Sequence, residues 1–315
     1  MKLSMQVGVA GAMLMLALVA WVVWRPLGPI NLIAAIGSRR VAQGQAYGPQ
    51  ERQVFDLYRP DGAAPAGGWP LVVFIYGGSW HRGERSDYRF VGEALAARGV
   101  LSMVVDYRLS PQVRYPDFVR DCAAAVAYAL AQASAWGANP QRVLVMGHSA
   151  GAYNAAMVAL DPRWLAETGH RPAELAGWIG LAGPYDFLPI TNPDAQVAFN
   201  HPNVPADSQP IRYAAQAQRP SLLLAAHTDI LVNPVRNSRQ MAAALTAAGQ
   251  RVTLHEYPRV NHLTLVGAIA APLRWLAPVL DEVVAFIDTL APVPAPGGAN
   301  PKAPTQTTRR TSPSP

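Results

Sequence analysis

Gly147-His148-Ser149-Ala150-Gly151 sets a serine between two glycines, directly after the apolar run Val143-Leu144-Val145-Met146. A serine hydroxyl becomes a useful nucleophile only with a base to take its proton and a carboxylate to orient that base. The apolar run reads as a buried strand and Ala150 to Leu160 as a helix, so the serine falls in a sharp strand-to-helix turn. Gly147 and Gly151 suit that turn, since side chains there would collide with the returning backbone. The competing reading of Ser149 is a plain helix N-cap.

The base and its carboxylate must come from loops at the carboxyl ends of parallel strands. One such loop, Ala225 to Pro234, carries Asp229; another, Tyr257 to His262, carries His262. The chain order Ser149, Asp229, His262 differs from that of the chymotrypsin and subtilisin groups. Other histidines compete less well. His148 adjoins the serine and should point away from the base position, His227 reads as structural, His255 lies inside a strand, and His170 and His201 lie in loops. Asp186 and Asp194 are the rival acids, Asp186 ahead of Asp194. Acyl transfer also needs donors for a developing oxyanion. Gly77-Gly78-Ser79, after an apolar strand, offers unencumbered amides, and the amide of Ala150 follows the serine. A plain turn is the simpler reading of the two glycines.

Four stretches together resemble a known family: Tyr76-Gly77-Gly78-Ser79-Trp80, Asp106-Tyr107-Arg108-Leu109-Ser110-Pro111, Gly147 to Gly151, and Asp229 with His262. They resemble the α/β-hydrolase esterases with an H-G-G-x-W loop, a group that includes hormone-sensitive-lipase-like carboxylesterases, kynurenine-formamidase-like enzymes and a bacterial feruloyl-esterase-like branch. Leu181 to Phe187 is similar to the last branch. The resemblance spans roughly residues 45 to 290. It implies an α/β-hydrolase fold, a Ser149-Asp229-His262 triad, an oxyanion hole from Gly78, Ser79 and Ala150, and a supporting loop of Tyr76, Gly77 and Trp80. Tyr76 stands where the family has histidine, so the fine shape of that loop is expected to differ.

The remaining elements must position these residues. Strands are expected at 52–58, 71–76, 100–105, 176–182, 221–226 and 251–257, and helices at 87–98, 117–136, 234–248 and 272–290. Strands alternating with helices imply a mostly parallel sheet covered on both faces. Residues 184–219 are rich in Pro and Asn and read as a cap. Cys122, the single cysteine, reads as a buried small apolar residue and leaves neither a disulfide nor a thiolate metal cluster within the chain.

The net charge of +6 belongs to the flanks. Lys2, Arg25, Arg39, Arg40, Lys302, Arg309 and Arg310 lie outside the stretch Glu51 to Asp288, which holds all 20 acidic residues against 19 basic ones. No basic stripe points to nucleic acid. Residues 1–25 contain the uncharged segment Met5 to Trp24, about 30 Å long as a helix, enough to cross a bilayer core. An uncleaved anchor is preferred to a signal peptide, because no clean A-x-A site precedes Trp21-Val22-Val23-Trp24-Arg25-Pro26. The hydrolase part is then expected on the extracytoplasmic side, or secreted if the segment is cleaved. Residues 26–44 read as a linker and 291–315 as a Pro-rich disordered tail, so a chain cut to 44–290 is expected to stay active.

The expectation is a serine hydrolase of carboxylic esters, acting through an acyl-enzyme on a small-molecule substrate with no cofactor or metal. Hydrolysis of an amide such as an arylformamide is the alternative, and a non-catalytic membrane-tethered scaffold a more distant one.

Overall fold

The computed structural model describes residues 38–293, together with Met13 and Asn31. Eight strands form one sheet in the order β1-β2-β4-β3-β5-β6-β7-β8. β3 (Trp69–Ile75), β4 (Leu101–Val105), β6 (Gly177–Leu181) and β7 (Ser221–Ala226) are buried along their whole length, as is the apolar half of β5 (Ala138–His148). Their near-continuous apolar sequences follow from parallel pairing, which requires helical crossovers and therefore cover on both faces. β8 (Val252–Tyr257) closes one edge in parallel with β7, while β2 (Val54–Pro60) pairs antiparallel with β4.

Helices α1 (Arg89–Ala96), α2 (Asp117–Gln132), α3 (Ala150–Leu160), α4 (Pro162–Ala166), α5 (Pro193–Ala198), α6 (Gln240–Ala247), α7 (His262–Gly267) and α8 (Val279–Thr289) follow in chain order. α1 and α8 pack together and join through Arg98 and Asp281, while α2 packs with α3 and α4. The strand-helix alternation and the α/β-hydrolase architecture are thus as expected from the sequence.

Three expectations shift. Residues 38–44, read as part of a linker, belong to β1 (Ser38–Ala46), an edge strand antiparallel to β2. Its residues are mostly exposed, so no alternating apolar pattern marks it in the sequence, and the pairing carries two register irregularities. The expected helix 272–290 begins only at Val279. Pro278 restricts the residue before it to extended backbone, and a short 3-10 turn, Ala271–Leu273, takes up part of the intervening chain. The expected cap is a folded segment: α5 and a 3-10 turn at Pro210–Gln216 flank Phe199, which is fully buried. The expected membrane segment Met5 to Trp24 and most of the expected tail lie outside the described residues. Among the described residues no helix is long and apolar enough to cross a membrane.

β1 holds polar anchors as well as backbone pairs. The Gly44 amide donates to Asp56 Oδ1 at 2.8 Å, and Arg40 approaches the buried Asp56 at 3.7 Å. A chain starting at Gly44 loses Arg40 and most of the strand, and should be less stable than one starting at Ser38 by about 1–3 kcal/mol. Thermal unfolding of the two chains should then differ by roughly 2–8 °C. Identical melting would show that β1 contributes nothing.

Candidate active site

The tight passage of backbone at the end of β5 positions the serine. β3 pairs with β5 so that Ile75 lies opposite Gly147. A Cβ on Gly151 would stand 2.0 Å from the Ile75 carbonyl oxygen, and one on Gly147 2.1 Å from the Gly151 carbonyl oxygen. Neither position has room for a side chain. Ser149 occupies φ 55°, ψ −123°, a strained conformation for a residue with a Cβ. Its amide is tied to the Leu181 carbonyl at 2.8 Å, and α3 starts at the next residue.

Two further loops reach the serine from β7 and β8. The His227 amide donates to the Tyr257 carbonyl at 3.0 Å, which holds those loops side by side. His262 Nε2 is 2.8 Å from Ser149 Oγ, and His262 Nδ1 is 2.7 Å from Asp229 Oδ2. Asp229 Oδ1 accepts from the amides of Leu231 at 2.9 Å and Val232 at 3.0 Å. Burial alone would raise the Asp229 pKa, but the hydrogen bond and charge of His262 and these two amides outweigh it and hold the carboxyl below its ordinary range. An ionised carboxylate only accepts, so the proton sits on His262 Nδ1. Nε2 is left as an acceptor for the serine hydroxyl.

The rival groups are engaged elsewhere. Asp186 pairs with Arg236 at 3.2 Å, and Asp194 is half exposed, 3.4 Å from His81. His170 meets Glu174, His227 meets Glu256 and His255 meets Glu282, while His201 is exposed.

His148 has a partner that no local sequence pattern announces. Its ring packs against His262, with centroids 4.9 Å apart, and its Nε2 donates to the His262 carbonyl at 3.0 Å. Burial pushes its pKa down to about 3, so it stays neutral beside the other imidazole. The fold brings the His262 backbone, 114 positions away, to the His148 ring. A polar residue at the buried end of a strand was the signal available.

The Gly77–Trp80 loop lies directly against the elbow. A Cβ on Gly77 would stand 2.7 Å from Ser149 Cβ, and Gly78, at φ 138°, is crowded by the Arg82 carbonyl. Ser79 and Trp80 both have positive φ, 52° and 61°. Packing holds this strain: Trp80 Nε1 donates to Asn154 Oδ1 at 3.2 Å, its ring lies edge-on to Tyr153 and Phe199, and its carbonyl accepts from Ser110 at 2.7 Å. Among the described residues the amides of Gly78, Ser79 and Ala150 donate to no protein acceptor, which leaves them available to an oxyanion.

Tyr76, where the resembled family has histidine, is fully buried. Its hydroxyl accepts from Arg52 Nη2 at 2.6 Å, and its ring stacks on Tyr107 at 4.9 Å. Arg52 also donates to the carbonyls of Tyr107 and Gly83. Burial pushes the phenol well above its ordinary range, so it remains a neutral hydroxyl. Arg52 lies outside every recognisable motif, so no local sequence signal marks it as the partner of Tyr76. Among the described residues no group of three or more His, Cys, Asp or Glu side chains could hold a metal ion.

The BD-FAE family model matches residues 55–245. The chain belongs to the BD-FAE family. A probable isoprenylcysteine α-carbonyl methylesterase of Oryza sativa subsp. japonica is 27% identical over 290 residues, 82% of this chain and 68% of that protein. Esterase LipC of Mycobacterium tuberculosis is 27% identical over 235 residues, 69% of this chain and 58% of that protein. The chain thus spans about two thirds or less of the length of these curated relatives. Among solved structures, a bacterial heroin esterase aligns with TM-score 0.65 and 25% identity, over 80% of this chain and 85% of that one. An inhibited esterase B from Lactobacillus rhamnosis aligns with TM-score 0.70 and 18% identity, over 88% and 96%, a likeness of fold. This BD-FAE member therefore shares its α/β-hydrolase fold and its relatives with esterases.

Two predictions test the geometry. His148→Ala leaves the His262 carbonyl without its donor, and turnover should fall about 10- to 100-fold with KM little changed, as for a misplaced base. Steady-state kinetics reads this directly, and wild-type turnover would remove His148 from the positioning machinery. The second concerns acid. Asp229 has a folded pKa below its unfolded one, so its contribution to stability is present above the unfolded value and lost as pH falls through the folded one. Wild type should therefore lose stability more steeply than Asp229→Asn on acidification below about pH 4, measured by denaturant unfolding across pH.

Proposed function

We propose that the protein hydrolyses carboxylic esters through a covalent acyl-enzyme, with Ser149 as nucleophile, His262 as base and acid, and Asp229 as orienting carboxylate. The hydrogen-bonded chain from Ser149 through His262 to Asp229 carries this reading. Ser149 Oγ bonds to the ester carbonyl carbon while its proton passes to His262 Nε2. The carbonyl oxygen becomes an oxyanion, which the amides of Gly78, Ser79 and Ala150 receive. Each such donor is worth roughly 3 kcal/mol in the transition state. The bond to the leaving alcohol breaks as His262 returns the proton. Water then attacks the acyl-serine with His262 as base again, releasing the acid and restoring the serine hydroxyl. Ionised Asp229 stabilises the imidazolium at both proton transfers, and neutral His148 places no second positive charge beside it.

Ester rather than amide hydrolysis is supported by the relatives, which include a probable methylesterase and an esterase. The apolar segment Met5 to Trp24 supports attachment to a membrane. Mass spectrometry of the mature protein tests that part. An intact segment is expected, whereas a chain starting shortly after Ala20 would make the enzyme a free hydrolase.

Ser149→Ala should lower kcat by about a millionfold, by comparison with nucleophile removal in another serine hydrolase. A fluorophosphonate probe should label wild type at Ser149 only. Asp229→Asn should cost about 10⁴, as in the related triad, while Asp186→Asn stays close to wild type because Asp186 pairs with Arg236. A panel of p-nitrophenyl esters, a feruloyl ester and an arylformamide reads the chemistry. Faster turnover of the arylformamide would overturn the ester reading, and labelling away from Ser149 would overturn the nucleophile.

A further inference from the structure

The sheet edge that carries Ser149 also gathers exposed aliphatic side chains. Ile230 is 95% exposed, Leu231 68%, Val235 52% and Leu263 44%. Ile230 and Leu231 directly follow Asp229 and Leu263 directly follows His262. Because Asp229 and His262 touch at 2.7 Å, Ile230, Leu231 and Leu263 stand together beside the site, and Val235 follows at the end of the loop that carries Asp229. Val197, 44% exposed, stands on α5 of the cap segment, whose Phe199 packs on Trp80. Single exposed aliphatics need no explanation, but a group of them around one mouth marks a surface that something apolar covers.

A second observation says what covers it. Asn31 is fastened to the start of α1: its Oδ1 accepts from the Phe90 amide at 2.9 Å, and its Nδ2 donates to the carbonyls of Ser86 at 3.1 Å and Asp87 at 3.0 Å. This turn follows β3 and the Gly77–Trp80 loop, so it lies at the same edge of the sheet. Tyr88 within it has its ring 6.3 Å from that of His148, which is in turn 4.9 Å from His262. Six residues separate Asn31 from Trp24, the end of the uncharged segment, and seven residue steps span at most about 25 Å. The segment suited to a bilayer is therefore tethered within that distance of the active-site edge.

From these two observations we infer that the protein sits on a lipid bilayer with its active-site mouth turned toward the membrane. The Ile230–Leu231–Val235–Leu263 rim enters the interface, and the substrates are esters of apolar chains drawn from the bilayer. A tether alone leaves orientation free; the rim selects the face, since burying apolar area in the headgroup and acyl boundary is favourable. The substrate half of this inference rests on the ester-hydrolase reading above, and the orientation rests on the membrane attachment proposed with it.

The test uses the full chain incorporated into phosphatidylcholine vesicles. Ile230→Cys carries a bimane label, and Cys122 is fully buried and spared. Ala247→Cys, exposed at the end of α6 on the opposite edge, is the control. Nitroxide on the lipid acyl chains should quench the label at 230 at least about threefold more than the label at 247, as expected for a side chain within the interface. Equal quenching at both positions, or failure of the full chain to remain with the vesicles, would overturn the orientation. Ile230→Ser with Val235→Ser should keep wild-type turnover of p-nitrophenyl acetate in water and lose about tenfold on a long-chain p-nitrophenyl ester dissolved in the vesicles. Equal loss on both esters would overturn the role of the rim in substrate delivery. Absence of turnover on either ester in wild type would instead sink the ester reading, with the quenching pair still deciding orientation.

Discussion

The site depends on one close passage of backbone, where the turn after β5 slips beneath the end of β3. At 2.0 Å from a would-be Cβ, the Ile75 carbonyl admits only glycine at 151, and the Gly151 carbonyl in turn leaves no room for a Cβ at 147. That passage forces Ser149 into its positive-φ conformation and starts α3 immediately after it. The hydroxyl and the Ala150 amide consequently emerge together at the carboxyl edge of the sheet. The register of β3 on β5 sets the height at which the Gly77 loop meets the serine, so the central pairing fixes both halves of the site at once.

Strain in the Gly77–Trp80 loop is held by two supports of different character. One is polar: Arg85 bridges the buried carboxylates of Asp56 and Asp106, and Arg52 clasps Tyr76, Tyr107 and Gly83. Buried ion pairs of this kind contribute little net stability because desolvation offsets attraction, and their value here is geometric. The other support is apolar. Trp80 is wedged among Phe118, Tyr153, Phe187 and Phe199, with the last two supplied by the cap. Residues 184–219 thus buttress the loop through these two rings. Arg108, within the resembled Asp106–Pro111 stretch, is locked on Asp121 by paired hydrogen bonds, and the Ser110 amide of the same stretch holds the Trp80 carbonyl.

The electrostatics around His262 are asymmetric in a way that suits proton transfer. Ionised Asp229 lies at Nδ1, and His148, the one imidazole in contact among the described residues, is kept neutral by burial. Charge gained by His262 is therefore met by attraction on one side and by no repulsion on the other. The two backbone amides on Asp229 Oδ1 keep the second carboxylate oxygen turned toward the histidine.

Much of this was legible in the sequence. Fully buried parallel strands must be continuously apolar, so β3, β4, β6, β7 and the elbow strand announced themselves. Gly147, Ser149 and Gly151 carried their own geometry because a strand-turn-helix with no room for side chains permits few residue types. Asp229 and His262 were readable as loop residues after strands, since the topology of a parallel sheet brings such loops to one edge. Only the tertiary structure decided what depends on neighbours distant in the chain. β1 is an exposed edge strand whose polar sequence carries no period. The late start of α8 reflects a proline acting against an otherwise helical pattern. His148 meets the carbonyl of a residue 114 positions away, and Arg52 reaches Tyr76 across 24. Local pattern records which face of an element is buried, but the partner of a buried polar group is chosen by the packing of whole elements, and no short stretch of sequence contains that choice.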